Sequence, residues 1–371
     1  VGVPFYDNNE VLHLGISGNT GQGKTQIMIP LVEQIINNDH KAIIYDKARA
    51  FVKYYYDENK DIILNPLDDR SPPWNIHAEA ETASDYDSIF EAMIPLPNNS
   101  EPYWNLAART VASKTALRHR QSGEYRMSAF LSRLYNTTLE EIAAMLEGTE
   151  AGALIDMDNP KAGESIRSVM TTYIKCLGYC YDEPVYNAQT GNQDLSKLFS
   201  ITKWVKDDSQ KGLIYITSQG NQAAILKPLI TTFFNISIIA GMSLEASKER
   251  RIFVMLDEIP SLNKLPSIVT GAAELRQFGF CFVAGWQLYS QLEEVYGVTG
   301  AKSISGLLTT RVQFNAGVEP YNIDNASKQF GSYRVEAPDE GLSFGVGPFR
   351  DGASLKFKEL TRRCVTNGDI E

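Results

Sequence analysis

Gly18-Asn19-Thr20-Gly21-Gln22-Gly23-Lys24-Thr25 fits G-x-x-x-x-G-K-[ST], a phosphate-cradling loop at the start of a helix, and its reading decides the fold. Glycines at these spacings let successive backbone N–H groups turn inward around an anion. The helix that follows aims the positive end of its dipole at the same point. Lys24 then reaches the β- and γ-phosphates of a nucleotide, and the Thr25 hydroxyl completes a Mg²⁺ shell. The flanks agree: Val11 to Ser17 reads as a buried strand, and Gln26 to Ile36 as the helix after the loop. Gly18, Asn19, Thr20, Gly21, Gln22, Gly23, Lys24, Thr25 and Gln26 are therefore the expected nucleotide contacts, with ATP and Mg²⁺ as the expected ligands. Pro30 lies inside the helix and is expected to kink it or shift its start.

Working outward, the chain alternates strand and helix. Lys41 to Asp46 and Asp61 to Asn65 are short apolar runs closed by polar residues, the βαβ rhythm of a parallel sheet. From about Ser71 prolines punctuate the chain and helical patterns follow, at 103–120, 124–135, 139–147 and 163–180. Thr138-Leu139-Glu140-Glu141 fits a capping box that opens one of them. Strand texture returns at 212–217, 251–256 and 280–285, and more weakly at 311–314. Runs apolar on both faces are what a helix-covered parallel sheet demands. The expected division is a nucleotide-binding domain in two parts, 1–71 and 209–371, interrupted by an inserted all-α domain at 72–208 large enough to hold its own core. The glycine-rich tail from about Arg334 reads as an irregular loop, mobile or ordered by a partner.

Composition narrows the class. A hydrophobic content of 43% and a charged content of 22% are ordinary for a globular protein of 371 residues. The net charge of −10 argues against a surface coated in nucleic acid and confines any such binding to a local stripe or pore. Four cysteines give no disulfide framework; Cys176 and Cys180, four apart without a second Cys or His pair, read as core thiols of a reducing cytoplasm rather than zinc ligands. The most apolar run, Pro228 to Met242, is too short to span a membrane and reads as a buried core helix. No signal peptide is visible, and any membrane anchor is expected upstream of this chain.

A phosphate loop alone hydrolyses nothing. Ile252 to Leu256 is an apolar strand that ends in Asp257-Glu258, the Walker B pattern. Asp257 is expected to hold Mg²⁺, and Glu258 to orient and polarise the attacking water. Gln287 follows the strand Phe280 to Gly285, where a γ-phosphate sensor would sit, and Arg276, just before that strand, is a candidate arginine finger.

With these residues in place, the chain resembles type IV secretion coupling proteins, the TraD/TrwB-type ATPases of conjugative plasmids and relatives of the FtsK/HerA motors. Leu256-Asp257-Glu258-Ile259-Pro260-Ser261-Leu262 and Val283-Ala284-Gly285-Trp286-Gln287 carry the likeness, as do Leu146-Glu147-Gly148-Thr149, Leu226-Lys227-Pro228-Leu229-Ile230 and Ile62-Ile63-Leu64-Asn65-Pro66. The resemblance covers nearly the whole chain. It implies a RecA-like P-loop NTPase fold, α/β with a mainly parallel sheet plus an inserted all-α domain. It puts the family's catalytic lysine on Lys24, its Walker B pair on Asp257 and Glu258, and its finger on Arg276. It also implies a homo-hexamer at the cytoplasmic face of the bacterial inner membrane, moving relaxase-bound single-stranded DNA into the channel proteins of a type IV secretion system. Another FtsK/HerA-like DNA motor and a nucleotide-gated docking platform for protein effectors are the competing readings. One departure stands out: Asp46-Lys47-Ala48-Arg49 lacks the glycine often found there in the family.

Overall fold

The computed structural model describes residues 10–19, 21–98, 101–184, 186, 194–315, 320–343 and 352–364. Seven strands form one sheet: β1 (Leu14–Ser17), β2 (Lys41–Asp46), β3 (Ile62–Leu64), β4 (Leu213–Thr217), β5 (Ile252–Leu256), β6 (Phe280–Trp286) and β7 (Thr310–Gln313), in the order β3-β4-β2-β5-β6-β1-β7. Every pairing in it is parallel. The register aligns the strand tips, with Ser17 opposite Trp286, Leu256 opposite Ala284 and Tyr45 opposite Leu256. Residues that follow β1, β6, β5 and β2 therefore share one carboxyl edge, the place where open α/β sheets bind ligands.

Helices cover both faces because the strands are apolar on both. Alternate side chains divide accordingly. Ile16, Ile44, Tyr215, Met255 and Val283 pack with Met28, Val32 and Ile35 of α1 (Lys24–Asn37) and with Val52 of α2 (Val52–Tyr55). Ile43, Tyr45, Ile216, Val254 and Phe282 face the other way, into a core that continues through the helices between β3 and β4. Those helices are α3 (Ala83–Met93), α4 (Tyr103–Gln121), α5 (Met127–Tyr135), α6 (Leu139–Met145), α7 (Pro160–Ile174) and α8 (Ile201–Lys206); among the described residues no strand interrupts them. Thr138 and Glu141 form the expected capping box of α6. The core of the helical segment is continuous with that of the sheet.

The shared element is α9 (Ala223–Met242), buried along most of its length. Its apolar composition would pass for a membrane span, but 72% of its most apolar window is buried inside the protein. Phe233 packs edge-on against Trp74 at 4.8 Å, and Phe234 against Tyr45. Its hydroxyl and amide residues are satisfied internally. Thr231, Thr232 and Ser237 donate to carbonyls one turn back, and Asn235 donates to the Ser88 carbonyl while accepting from Ser267. At the root of the helical segment Glu79 accepts from Trp74 Nε1, from the Ser200 hydroxyl and from the backbone N–H of Ile201 and Thr202. Chain entry and exit are thereby fastened together.

The remaining helices are α10 (Ile268–Glu274), α11 (Tyr289–Leu307) and α12 (Pro320–Gln329). Beyond them β8 (Ser332–Ser343) and β9 (Gly352–Arg363) pair antiparallel along their full lengths. This corrects the irregular tail, of which Gly345 and Gly347 lie outside the described residues. Each strand supplies the other's backbone partners, so the hairpin needs no alternating apolar code of the kind that sequence reading relies on. Two smaller corrections concern β1 and α1. β1 starts at Leu14 because Glu10–Leu12 forms a 3₁₀ turn and His13 takes a left-handed φ of 63°. α1 starts at Lys24 and runs through Pro30 to Asn37, so the proline does not move its start.

Candidate active site

The loop after β1 is built by its neighbours. The Gly18 N–H donates to the Trp286 carbonyl and the Asn19 N–H to the Asn315 carbonyl, while the Phe314 N–H donates to the Ser17 carbonyl. A β-carbon at Gly18, where φ is 151°, would fall 2.4 Å from Phe314 Cβ, so a larger residue is excluded by contact and by conformation. Gly21 and Gly23 also take left-handed φ values, and Gly23 is the N-cap of α1 without a side-chain cap. The first N–H groups of α1 thus remain open to an anion. Lys24 is buried, and its ammonium donates to the Gly18 carbonyl at 2.6 Å, curled over the loop. Thr25 is half-buried beside it, Gln26 is exposed, and Thr20 lies outside the described residues.

Two strands along, β5 delivers Asp257 and Glu258 to the same edge. Burial raises the Asp257 carboxyl above the ordinary range; the charge of Lys24 opposes this and that of Asp46 adds to it. Its Oδ1 is buried with no hydrogen-bond partner among the described residues, which suits an acceptor meant for a cation. Burial also raises Glu258, against the pull of a hydrogen bond from the Gln287 side chain and of Lys24. Lys24, Asp257, Glu258 and Gln287 are therefore brought together.

Arg276 is not part of that group. It lies exposed on the 3₁₀ turn Leu275–Phe278 before β6, whereas Gln287 follows the last residue of β6. A seven-residue strand separates them by roughly 20 Å at about 3.3 Å per residue. Arg276 instead walls a cavity of ≈ 810 Å³ at the amino edge of the sheet, together with Lys248 and Arg251.

Three residues escaped the sequence reading. Asp46 ends β2 beside the Walker B strand, and its carboxylate accepts from the N–H groups of Ala50, Phe51 and Val52 at 2.7–2.9 Å. It is thus committed to holding the following turn. In that turn Arg49 adopts a φ of 54°, making without glycine the left-handed step that glycine makes elsewhere. Gly285 allows β6 to pass against the Asp257 backbone, and a lone glycine inside an apolar strand was the available signal.

Comparison with known proteins extends this geometry. A family model described as the type IV secretion-system coupling protein DNA-binding domain matches residues 1–371. Coupling protein TraD of Escherichia coli (strain K12) is 30% identical over 100% of this chain, which spans 50% of TraD. The unbound monoclinic form of the bacterial conjugative coupling protein TrwBdeltaN70 superposes with a TM-score of 0.82 at 26% identity, covering 100% of this chain and 81% of that one. TrwB in complex with a non-hydrolysable ATP analogue gives 0.83 at 25% identity over 100% of this chain and 82% of that one. TrwB in complex with ADP and Mg²⁺ gives 0.82 at 25% identity, covering 100% and 81%. The fold is α/β, the RecA-like P-loop NTPase architecture with a mainly parallel sheet and a helical domain.

Proposed function

This chain belongs to the family of type IV secretion-system coupling proteins, and on that premise we propose that it is the ATP-hydrolysing motor portion of one. It recruits relaxase-bound single-stranded DNA and drives it into the secretion channel. It does so as a homo-hexamer at the cytoplasmic face of the bacterial inner membrane, with residues 72–208 as the inserted helical domain. The observation that carries the reading is the convergence of Lys24, Asp257, Glu258 and Gln287 on one sheet edge, beside a helix start whose N–H groups are open.

The loop N–H groups and Lys24 would bind the β- and γ-phosphates, Lys24 exchanging its two loop carbonyls for phosphate oxygens. Thr25 and the unpartnered Asp257 oxygen would hold Mg²⁺. Mg²⁺, when bound, supplies charge neutralisation across the β- and γ-phosphates. Glu258, whose carboxyl burial makes more basic, orients a water toward the γ-phosphorus, and Gln287 fixes the carboxylate by its hydrogen bond. Arg276, remote from its own chain's phosphate loop, would serve a neighbouring protomer.

Steady-state ATP hydrolysis against protein concentration, with and without single-stranded DNA, tests this. The expected result is turnover that rises faster than linearly with protein and is accelerated by DNA. Turnover indifferent to DNA would favour a docking platform, and absence of turnover at any concentration would end the motor reading.

A further inference from the structure

Beyond Glu258 lies a cavity of ≈ 480 Å³ whose cations have no part in the chemistry above. Lys47, Lys227 and Lys264 wall it together with Glu258, Gln287 and Glu294. Glu258 and Gln287 line it and no described residue of the phosphate loop does, so it adjoins the nucleotide site at Glu258. Lys47 leaves β2 directly after Asp46, and Lys227 sits near the start of α9. Lys227 is half-buried; burial first, and the Lys47 charge second, push its ammonium below the ordinary range, with Glu294 opposing. Among the described residues no carboxylate stands within ion-pair distance of Lys47, Lys227 or Lys264. The recess thus gathers three ammonium groups against the two carboxylates of Glu258 and Glu294, and Lys47 lies near enough to Lys227 for their charges to repel, an arrangement that favours an anion between these two lysines.

The reaction makes a suitable anion at the right place. Water attacks the γ-phosphorus from the Glu258 side, a new P–O bond forms, and the bond to the β-phosphate bridging oxygen breaks with its electron pair staying on ADP. In-line displacement carries the phosphorus toward the attacking water, hence toward Glu258. One water proton leaves through Glu258, and the product is inorganic phosphate. We propose that Lys47 and Lys227 form a receiving site for that phosphate, holding it clear of ADP before it escapes. At ~30 Å³ per water the recess has room for the anion and several waters. The inference rests on the hydrolysis reading, but its test does not.

Orthophosphate is titrated by ³¹P NMR against nucleotide-free Lys24→Ala protein, in which the phosphate loop is disabled. Lys47→Gln and Lys227→Gln are then added singly to that background. The site predicts saturable binding that weakens about tenfold or more in each double variant; Lys47 is exposed, so its variant keeps the fold. In the hydrolysing protein, Lys47→Gln should also relieve inhibition by added orthophosphate several-fold. Absence of binding in the Lys24→Ala background, or binding that ignores both lysines, overturns the proposal. So does binding of a thymidine oligomer at these lysines without binding of orthophosphate, which would reassign them to a nucleic-acid strand. Loss of ATP turnover in the wild type with phosphate binding intact would sink the hydrolysis reading and leave the anion site standing.

Discussion

A β-carbon added at Gly285 would stand 2.1 Å from the carbonyl oxygen of Asp257, so the tip of β6 lies against the backbone that carries the half-buried Asp257 carboxylate. The two strand tips cannot separate without moving Asp257 and Glu258 relative to Lys24. Gly285→Ala is therefore expected to lose about 1–3 kcal/mol of stability through overpacking and to lower ATP turnover by more than tenfold. Urea unfolding and steady-state hydrolysis on the same preparation check both; a variant with normal stability and turnover would show that the contact positions nothing.

Glu258→Gln keeps the shape of the side chain and removes its charge. Binding of Mg-ATP should stay within a few-fold of wild type, while hydrolysis falls by about 10²–10⁴. A fluorescent nucleotide titration beside a turnover assay separates these. Loss of binding with normal turnover per bound nucleotide would reduce Glu258 to the residue that opens the 3₁₀ turn Ile259–Ser261.

Arg276 faces away from its own nucleotide site, across the length of β6. Arg276→Ala should abolish assembly-dependent turnover, since a finger is worth ~10³–10⁵ in rate. Mixing it with Glu258→Gln protein should restore partial activity, because some interfaces then pair an intact finger with an intact Walker B residue. Full activity of Arg276→Ala alone would remove the finger from the account.

The helical segment carries a pH dependence of its own. His119 is buried and pushed down to about 4, chiefly by burial, and His77, whose ring lies 5.4 Å away, is lowered as well. Both stay neutral when folded, whereas in the unfolded chain they protonate near the ordinary value of 6.5. Their contribution to stability is therefore complete above about pH 6.5 and is lost as pH falls toward about 4. His119→Gln should melt with a smaller drop in Tm between pH 7.5 and pH 5 than wild type, whatever its Tm at pH 7.5; an unchanged drop would contradict this.

What the sequence discloses follows from the range of each signal. The loop from Gly18 to Thr25 and the run into Asp257-Glu258 were legible because each is a local string with local chemistry. The strands followed because both faces are buried, leaving short unbroken apolar runs. The true start of β1 was hidden by His13, whose Nδ1 accepts from the Phe282 N–H and whose Nε2 donates to the Ala272 carbonyl; those partners lie far away in sequence. The same distance hides the approach of Lys47 to Lys227, and the continuity of the helical core with the sheet. The β8–β9 hairpin was missed because its stability comes from ladder hydrogen bonds, which leave no compositional mark.

The most direct test of the whole account is the ATP turnover of Lys24→Ala, measured beside wild type under conditions where wild type is active. Among the described residues Lys24 makes no ion pair, and its ammonium rests on loop carbonyls that water can satisfy. The account predicts a folded protein with the same melting profile and turnover below about a hundredth of wild type, since such a contact stabilises the transition state by several kcal/mol. Retention of more than about a tenth of wild-type turnover would contradict it.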